Sequence, residues 1–340
     1  MNPEARIFVA GHRGLVGSSI ARGLAALGYS NLLFCASHEL DLRDRHATDR
    51  FFAETKPEYV FLAAAKVGGI FANSNYPVDF LHSNLSIQES VIAASHRHGV
   101  RRMLFLGSSC IYPKRAPQPL KESYLLTGPL EASNRPYALA KIAGIELCWS
   151  YNRQYGCKFL AAMPTNLYGP GDSYHPENSH VIPGLLRKFH EAKVNRAPTV
   201  TVWGSGTPRR EFLYVDDMAH ACIHLMNLDD SRFDQLLGNN SVAGDEFEPP
   251  LINIGAGKDL TIRALAELIA EITGYSGNLK FDPTRPDGTM RKLLDVTRIN
   301  SMGWRATTEL KQGLATTYKD YCANVTESGS SAPYPAHHPR

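Results

Sequence analysis

Ile7-Phe8-Val9-Ala10-Gly11-His12-Arg13-Gly14-Leu15-Val16-Gly17 is the stretch that decides the fold. An apolar, β-prone run meets three glycines spaced G-x-x-G-x-x-G, and helix-spaced apolar residues, Leu15–Leu27, follow. Gly11 allows a tight turn, Gly14 lets backbone approach a pyrophosphate, and Gly17 lets the helix pack close on the strand. The helix then points the free N–H groups of its first turn at phosphate oxygens. A glycine triplet alone is common. Placed between a strand and a helix, it marks a dinucleotide loop running from Gly11 through His12, Arg13, Gly14, Leu15 and Val16 to Gly17.

Outward from this loop, strand-like runs alternate with helical patterns. Leu32–Cys35, Tyr59–Ala63, Arg102–Leu106 and Phe159–Met163 read as strands. Asp44–Thr55, Pro77–His98 and Pro136–Tyr155 read as helices, the last two closed by Gly99 and Gly156. Such alternation predicts an α/β protein: a doubly wound parallel sheet of the Rossmann type with helices on both faces. Beyond Pro170 the pattern loosens into Ile182–Ala192, Thr199–Trp203, Val215–Asn227, Leu251–Ile254, Thr261–Thr273 and Thr308–Asn324, separated by Pro- and Gly-containing loops. The expected organisation is a nucleotide-binding domain over 1–170, to which some later segments return. A smaller substrate-binding lobe over 171–325 and a disordered tail over 326–340 complete it. Asp229–Pro250, polar and acidic, reads as a surface insertion.

The 340 residues carry 36 Lys and Arg against 33 Asp and Glu, too weak a positive balance to argue for a nucleic-acid partner. No apolar run reaches the roughly 18–20 residues of a membrane span, and Met1–Arg6 leads straight into a strand without a signal peptide. Six cysteines lack C-x-x-C spacing, which argues against a structural metal site and fits a reducing, cytoplasmic setting.

The second strand ends Cys35-Ala36-Ser37, with no carboxylate at its tip to hold a ribose diol. Arg13 could instead pair with a 2′-phosphate, which favours NADP over NAD; the alternative is a solvated loop arginine. Asp41-Leu42-Arg43-Asp44 stands beside an adenine or caps a helix. Tyr137 and Lys141 are four apart on one helix face, and of fifteen tyrosines only this one has a lysine at that distance. The strand Leu104-Phe105-Leu106 ends in Gly107-Ser108-Ser109-Cys110, where a parallel sheet would bring it to that helix. A lysine ammonium lowers a tyrosine pKa, the tyrosine exchanges a proton with a carbonyl oxygen as hydride moves, and a serine hydroxyl holds that oxygen. The residues alone leave Ser108 and Ser109 unseparated.

These residues resemble the signature of the extended short-chain dehydrogenases/reductases, as do Leu62-Ala63-Ala64-Ala65, Pro164-Thr165-Asn166-Leu167-Tyr168-Gly169-Pro170 and Arg210-Glu211-Phe212-Leu213-Tyr214-Val215-Asp216-Asp217. Longer runs are similar to the GDP-L-fucose synthase family: Ala64-Ala65-Lys66-Val67-Gly68-Gly69-Ile70, Gly107-Ser108-Ser109-Cys110-Ile111-Tyr112-Pro113, Asn178-Ser179-His180-Val181-Ile182-Pro183, Val202-Trp203-Gly204-Ser205-Gly206-Thr207-Pro208-Arg209-Arg210-Glu211, and Pro286-Asp287-Gly288-Thr289 with Arg291-Lys292-Leu293-Leu294-Asp295. The resemblance spans Arg6 to Tyr321. It implies inversion of carbons 3 and 5 of GDP-4-keto-6-deoxy-D-mannose, NADPH reduction of the 4-ketone, and a homodimer through the two long helices. Both epimerisations pass through an enolate, so one base and one acid on opposite faces of the sugar serve both. By resemblance Cys110 is the base and His180 the acid, types that titrate near neutrality when perturbed. Taken alone, Cys110 would read as a strand-end thiol and His180 as a polar helix start.

The resemblance also favours Ser108 over Ser109 beside Tyr137 and Lys141. It places Ser37, Asp41, Leu42, Leu106, Gly107, Lys141, His180 and Pro164-Thr165-Asn166-Leu167 at the cofactor, and Lys188, Trp203, Arg210 and Asp287 at the GDP-sugar. Outside the resemblance, Lys188 reads equally as a solvated helix lysine, and Trp203 as core. Some family members carry arginine where Ser37 stands, so the preference for NADP is expected to be softer here.

Overall fold

The computed structural model describes residues 1–176, 179–238, 249–285 and 287–327. The first half of the chain runs β1 (Ile7–Ala10), α1 (Leu15–Ala26), β2 (Leu32–Leu33), α2 (Arg45–Thr55), β3 (Tyr59–Leu62), α3 (Ile70–Asn75), α4 (Pro77–Arg97), β4 (Arg102–Leu106), α5 (Arg135–Tyr155) and β5 (Phe159–Pro164). The second half runs β6 (Asn166–Tyr168), α6 (Val181–Val194), β7 (Thr199–Trp203), β8 (Arg209–Tyr214), α7 (Val215–Asn227), α8 (Asp230–Asp234), β9 (Leu251–Ile254), β10 (Asp259–Thr261), α9 (Ile262–Thr273), β11 (Asn278–Asp282), β12 (Arg291–Lys292), α10 (Thr297–Ser301) and α11 (Leu310–Glu327).

The main sheet is six-stranded, ordered β2-β1-β3-β4-β5-β9 and parallel throughout. β1, β3, β4 and β9 are buried along their whole length, as two-sided burial demands of near-continuous apolar strands. α1 and α7 pack against one face around Ile7, Val9, Leu24, Met218 and Cys222. α4 and α5 cover the other around Phe8, Val60, Val91, Phe105 and Ile145. The strand order reverses at β1, so the crevice for a ligand opens beyond the carboxyl ends of β1 and β3. β9 belongs to this sheet, so the chain returns to it after the lobe has begun.

A third core, around Leu186, Phe189, Val202, Phe212, Leu265 and Leu314, builds the lobe. There β8 lies between β10 and β12 and also pairs with β6, while β11 pairs with β7. The charged runs Arg209–Glu211 and Asn278–Asp282 are strands that polarity concealed from the sequence reading.

Two expectations need correction. Asp229–Pro250 is not all surface: residues 229–232 are exposed, but α8 is capped by the Asp229 side chain on Arg232 N, and Phe233, Leu236 and Leu237 are buried under the main sheet. A few apolar residues in a polar run suffice to dock a short helix. Residues 239–248 of that segment lie outside the described residues. The expected disordered tail does not take in Thr326 and Glu327, because α11 continues through Glu327; 328–340 lie outside the described residues.

Candidate active site

The glycine turn is shaped by close backbone approach. Gly11 has φ +87, and a Cβ there would stand 2.7 Å from Ala64 N, two residues past the end of β3. A Cβ on Gly17 would stand 2.1 Å from the Gly11 oxygen. Gly14 caps α1 without a side chain, leaving first-turn N–H groups of α1 to face the crevice. The His12 Nδ1 is buried without a hydrogen-bond partner among the described residues, and its ring packs 5.0 Å from that of Phe34 beyond β2. Burial and neighbouring Arg13 lower the His12 pKa, which keeps the ring neutral. Leu15 and Val16 are half-buried at the start of α1. These features fit a dinucleotide: close backbone, open amides and an orphaned polar nitrogen.

The tip of β2 differs from expectation. A carboxylate does stand there. The turn Ala36–Leu40 folds Glu39 back, so that its carboxylate accepts the Ala36 N–H at 2.7 Å. That bond, with His38 and Arg13 nearby, holds the Glu39 carboxyl below its usual range. Sequence distance from the strand end concealed it. Ser37 is exposed in the same turn. Asp41 is paired with Arg43 at 2.7 Å, Leu42 packs against the sheet core, and Asp44 caps α2 by accepting His46 N and Ala47 N.

At the carboxyl end of β4, Gly107 N bonds the Ala162 oxygen at 2.9 Å, and a Cβ there would strike Met163. Ser108 caps the 3-10 turn Ser109–Ile111, and its hydroxyl meets the side chains of both Tyr137 and Cys110. Ser109 is buried. Lys141, one turn after Tyr137 on α5, is buried and donates to the Leu106 carbonyl at 2.7 Å. Burial lowers Lys141 to about 8. Lys141 does not pull Tyr137 down as expected. Burial and the nearby Cys110 sulfur raise the Tyr137 phenol, with the Ser108 hydroxyl opposing. A phenol that keeps its proton suits a donor.

Cys110 and His180 are likewise not tuned toward neutrality. Burial pushes the Cys110 thiol up, while Lys292, the Ser108 hydroxyl and Lys141 pull against it. Neighbouring atoms desolvate the His180 imidazole and lower it, although His180 as a residue is exposed at the start of α6. No hydrogen bond joins the two among the described residues. After β5, Pro164 ends the strand, Thr165 and Asn166 donate to the Glu211 carbonyl at 3.2 and 2.9 Å, and Leu167 packs against the core under the main sheet. This turn is thus braced onto β8.

Farther along the cleft, Trp203 is 54% exposed, which excludes a core role. Lys188 Nζ stands 4.9 Å and the Arg285 guanidinium 5.0 Å from its ring centroid. Lys188 also donates to the Thr201 carbonyl at 3.3 Å, beside a cleft of about 290 Å³ lined by Lys188, Thr201 and Trp203. The Asp287 carboxylate accepts Ser205 N and Ser205 Oγ at 2.7 and 2.8 Å, and Arg210 donates to the Asp287 carbonyl at 3.3 Å. Cations, an aromatic face and amides are what a nucleoside diphosphate needs. Glu39, Arg285 and Lys292 were missed as site residues, although Lys292 lies inside a quoted run. Its role needs strand pairing to be seen.

The pattern of the NAD dependent epimerase/dehydratase family matches residues 7–235. The chain is 54% identical to the GDP-L-fucose synthase of Escherichia coli (strain K12), over 94% of this chain and 98% of that protein. It is 53% identical to GDP-L-fucose synthase 1 of Arabidopsis thaliana, over 95% and 94% of the two chains. Among solved structures, a GDP-mannoheptose C4 reductase from Campylobacter jejuni with NADP bound superposes with a TM-score of 0.84 at 38% identity, covering 95% and 99% of the two chains.

Proposed function

This chain belongs to the NAD dependent epimerase/dehydratase family, and from that premise we propose that it converts GDP-4-keto-6-deoxy-D-mannose to GDP-L-fucose. It inverts carbons 3 and 5 and reduces the 4-ketone with NADPH. One observation carries the double activity: the Ser108 hydroxyl meets both the Tyr137 phenol and the Cys110 thiol, so reduction and epimerisation share one point of contact. A plain 4-epimerase has no need of a thiol there.

The glycine turn Gly11–Gly17 would hold NADPH, which would supply the hydride. The chain supplies the rest. Ser108 donates a hydrogen bond to the carbon-4 oxygen, where charge builds in the enolate and again in the alkoxide. Cys110 removes the proton at carbon 3 or 5, and His180 returns one from the other face. Tyr137 gives its proton to the oxygen as the ketone is reduced, and Lys141 holds the ribose and neighbouring charge. Trp203, Lys188, Arg285 and Arg210 hold the nucleoside diphosphate.

The direct test mixes the protein with this keto sugar and NADPH, follows loss of reduced-nicotinamide absorbance and identifies the product. GDP-L-fucose is expected. An uninverted deoxy sugar would leave a reductase and remove the roles of Cys110 and His180.

Two further readings rest on single features. Glu39 faces Arg13 across the ground a 2′-phosphate would take, so Glu39→Gln is expected to tighten 2′,5′-ADP binding several-fold while leaving ADP little changed. Calorimetry checks this; equal gains for both ligands would contradict it. The second is a homodimer through α4 and α5, which leave Val78, Leu139 and Tyr155 exposed. Light scattering should give twice the chain mass, and a monomer at micromolar concentration would contradict it. A cytoplasmic setting fits six cysteines that form no disulfide with one another.

A further inference from the structure

β12 pairs in parallel with β8, placing Arg291 opposite Arg209 and Lys292 opposite Arg210. Successive side chains of a strand point to opposite faces. On one face Arg209 and Arg291 share the Asp259 carboxylate, at 2.8 and 2.5 Å. Lys292 and Arg210 therefore project from the other face, which looks into the cleft. Among the described residues neither has a carboxylate salt bridge.

The strand carrying Lys292 is pinned on both sides. Leu293 N donates to Gln118 Oε1 at 2.9 Å, Leu120 N donates to the Leu293 carbonyl at 2.7 Å, and Leu294 N donates to the buried Glu211 carboxylate at 2.9 Å. The same carboxylate accepts Gly257 N at 2.7 Å, tying β12 to the end of the main sheet. The ammonium is thus delivered to one place. The groups facing it are Cys110 after β4, Arg210 on β8 and Glu131, itself paired with Lys114, ahead of α5. The groups facing Cys110 are Ser108, Tyr137 and Lys141, besides Lys292.

We propose that Lys292 is the positioning residue of the epimerase centre, its ammonium holding the Cys110 sulfur as the thiolate that removes the sugar proton. The argument rests on the reading of Cys110 as the base. A buried thiol is a poor base, and burial raises Cys110. Lys292 is the strongest of the groups that oppose this. Lys141 is committed to the Leu106 carbonyl and to the reductase centre. The two lysines thus divide the work, one for each half-reaction. In the step served, the carbon–hydrogen bond breaks, its electron pair passes into the enolate, and a sulfur–hydrogen bond forms. The His180 imidazolium then returns a proton to the opposite face of the carbon. Exchange with solvent restores thiolate and imidazolium.

The test follows iodoacetamide labelling of the Cys110 peptide against pH, with NADPH present, in the wild type, Lys292→Met and Lys292→Arg. Lys292→Met should raise the labelling midpoint by at least about one pH unit, a tenfold loss of labelling below it. Lys292→Arg should restore the midpoint. Labelling of Cys35 and Cys157 should not move. Solvent deuterium entry at carbons 3 and 5 should show the same shift in its pH profile, with NADPH affinity unchanged. Superimposed Cys110 profiles in all three proteins would overturn the proposal, as would an equal displacement in both variants. Should Lys292→Met fail to fold, Lys292→Gln against Lys292→Arg reads the same difference. The thiol titration needs no sugar. A wild type that exchanges no deuterium into this substrate therefore refutes the proposed reaction, while the labelling profiles still decide the role of Lys292.

Discussion

Tyr137→Phe is expected to slow reduction of the 4-ketone roughly a thousandfold, the usual weight of a positioned proton donor. Deuterium exchange at carbons 3 and 5 should continue. The phenol is raised by burial and by Cys110, so it holds its proton across the working pH range and can release it only to a developing alkoxide. Phenylalanine keeps the edge-on packing against Phe80, whose ring centroid lies 6.2 Å away, so folding and NADPH binding should be little changed. Only the hydroxyl and its closeness to the Ser108 side chain are lost. The measurement is single-turnover oxidation of NADPH beside proton exchange followed by NMR. Unimpaired oxidation would remove Tyr137 from the mechanism. Loss of exchange together with reduction would mean that the phenol also shapes the epimerase centre. The wild-type rate should in addition decline above about pH 8. Lys141 is positively charged only below its lowered pKa, and its charge is lost as pH rises through it.

Cys110→Ala and His180→Gln should each reduce inversion about a hundredfold or more, and Cys110→Ala should leave NADPH affinity unchanged. The two residues stand on separate elements, the turn after β4 and the start of α6, which is how a base and an acid reach opposite faces of one ring. Neither alone completes an inversion: without the base no enolate forms, and without the acid the proton returns to the face it left. Proton exchange distinguishes the two variants. Cys110→Ala should lose exchange at both carbons, whereas His180→Gln should retain exchange and lose inversion. Full inversion by the double variant would falsify both roles.

The main sheet was readable because its strands are buried on both sides. Such strands are continuous apolar runs, and each glycine that ends a neighbouring helix stands out. The Tyr137–Lys141 pair was readable because helical spacing alone puts both on one face, and the glycine turn because its geometry tolerates no side chain. Motif runs likewise carried Ser108, Cys110, His180 and the GDP residues. The lobe was less legible. β8, β10, β11 and β12 are short and charged, and they are stabilised by partners distant in sequence rather than by their own pattern. Phe233, Leu236 and Leu237 docked a run that its composition assigned to the surface.

Residue identity therefore determined the cofactor loop, the sheet and the Tyr137–Lys141 pair, because each depends on local spacing, whereas Cys110 and His180 stood out only through the family resemblance. Tertiary structure alone decided their charge states and neighbours. It folded Glu39 back to the tip of β2, raised Cys110 and Tyr137, lowered His180 and Lys141, and turned Lys292 inward while Arg291 went to Asp259. These outcomes depend on burial and on the register between strands about 80 residues apart. Desolvation and Coulomb interaction follow distance in space, which the order of residues along the chain does not state.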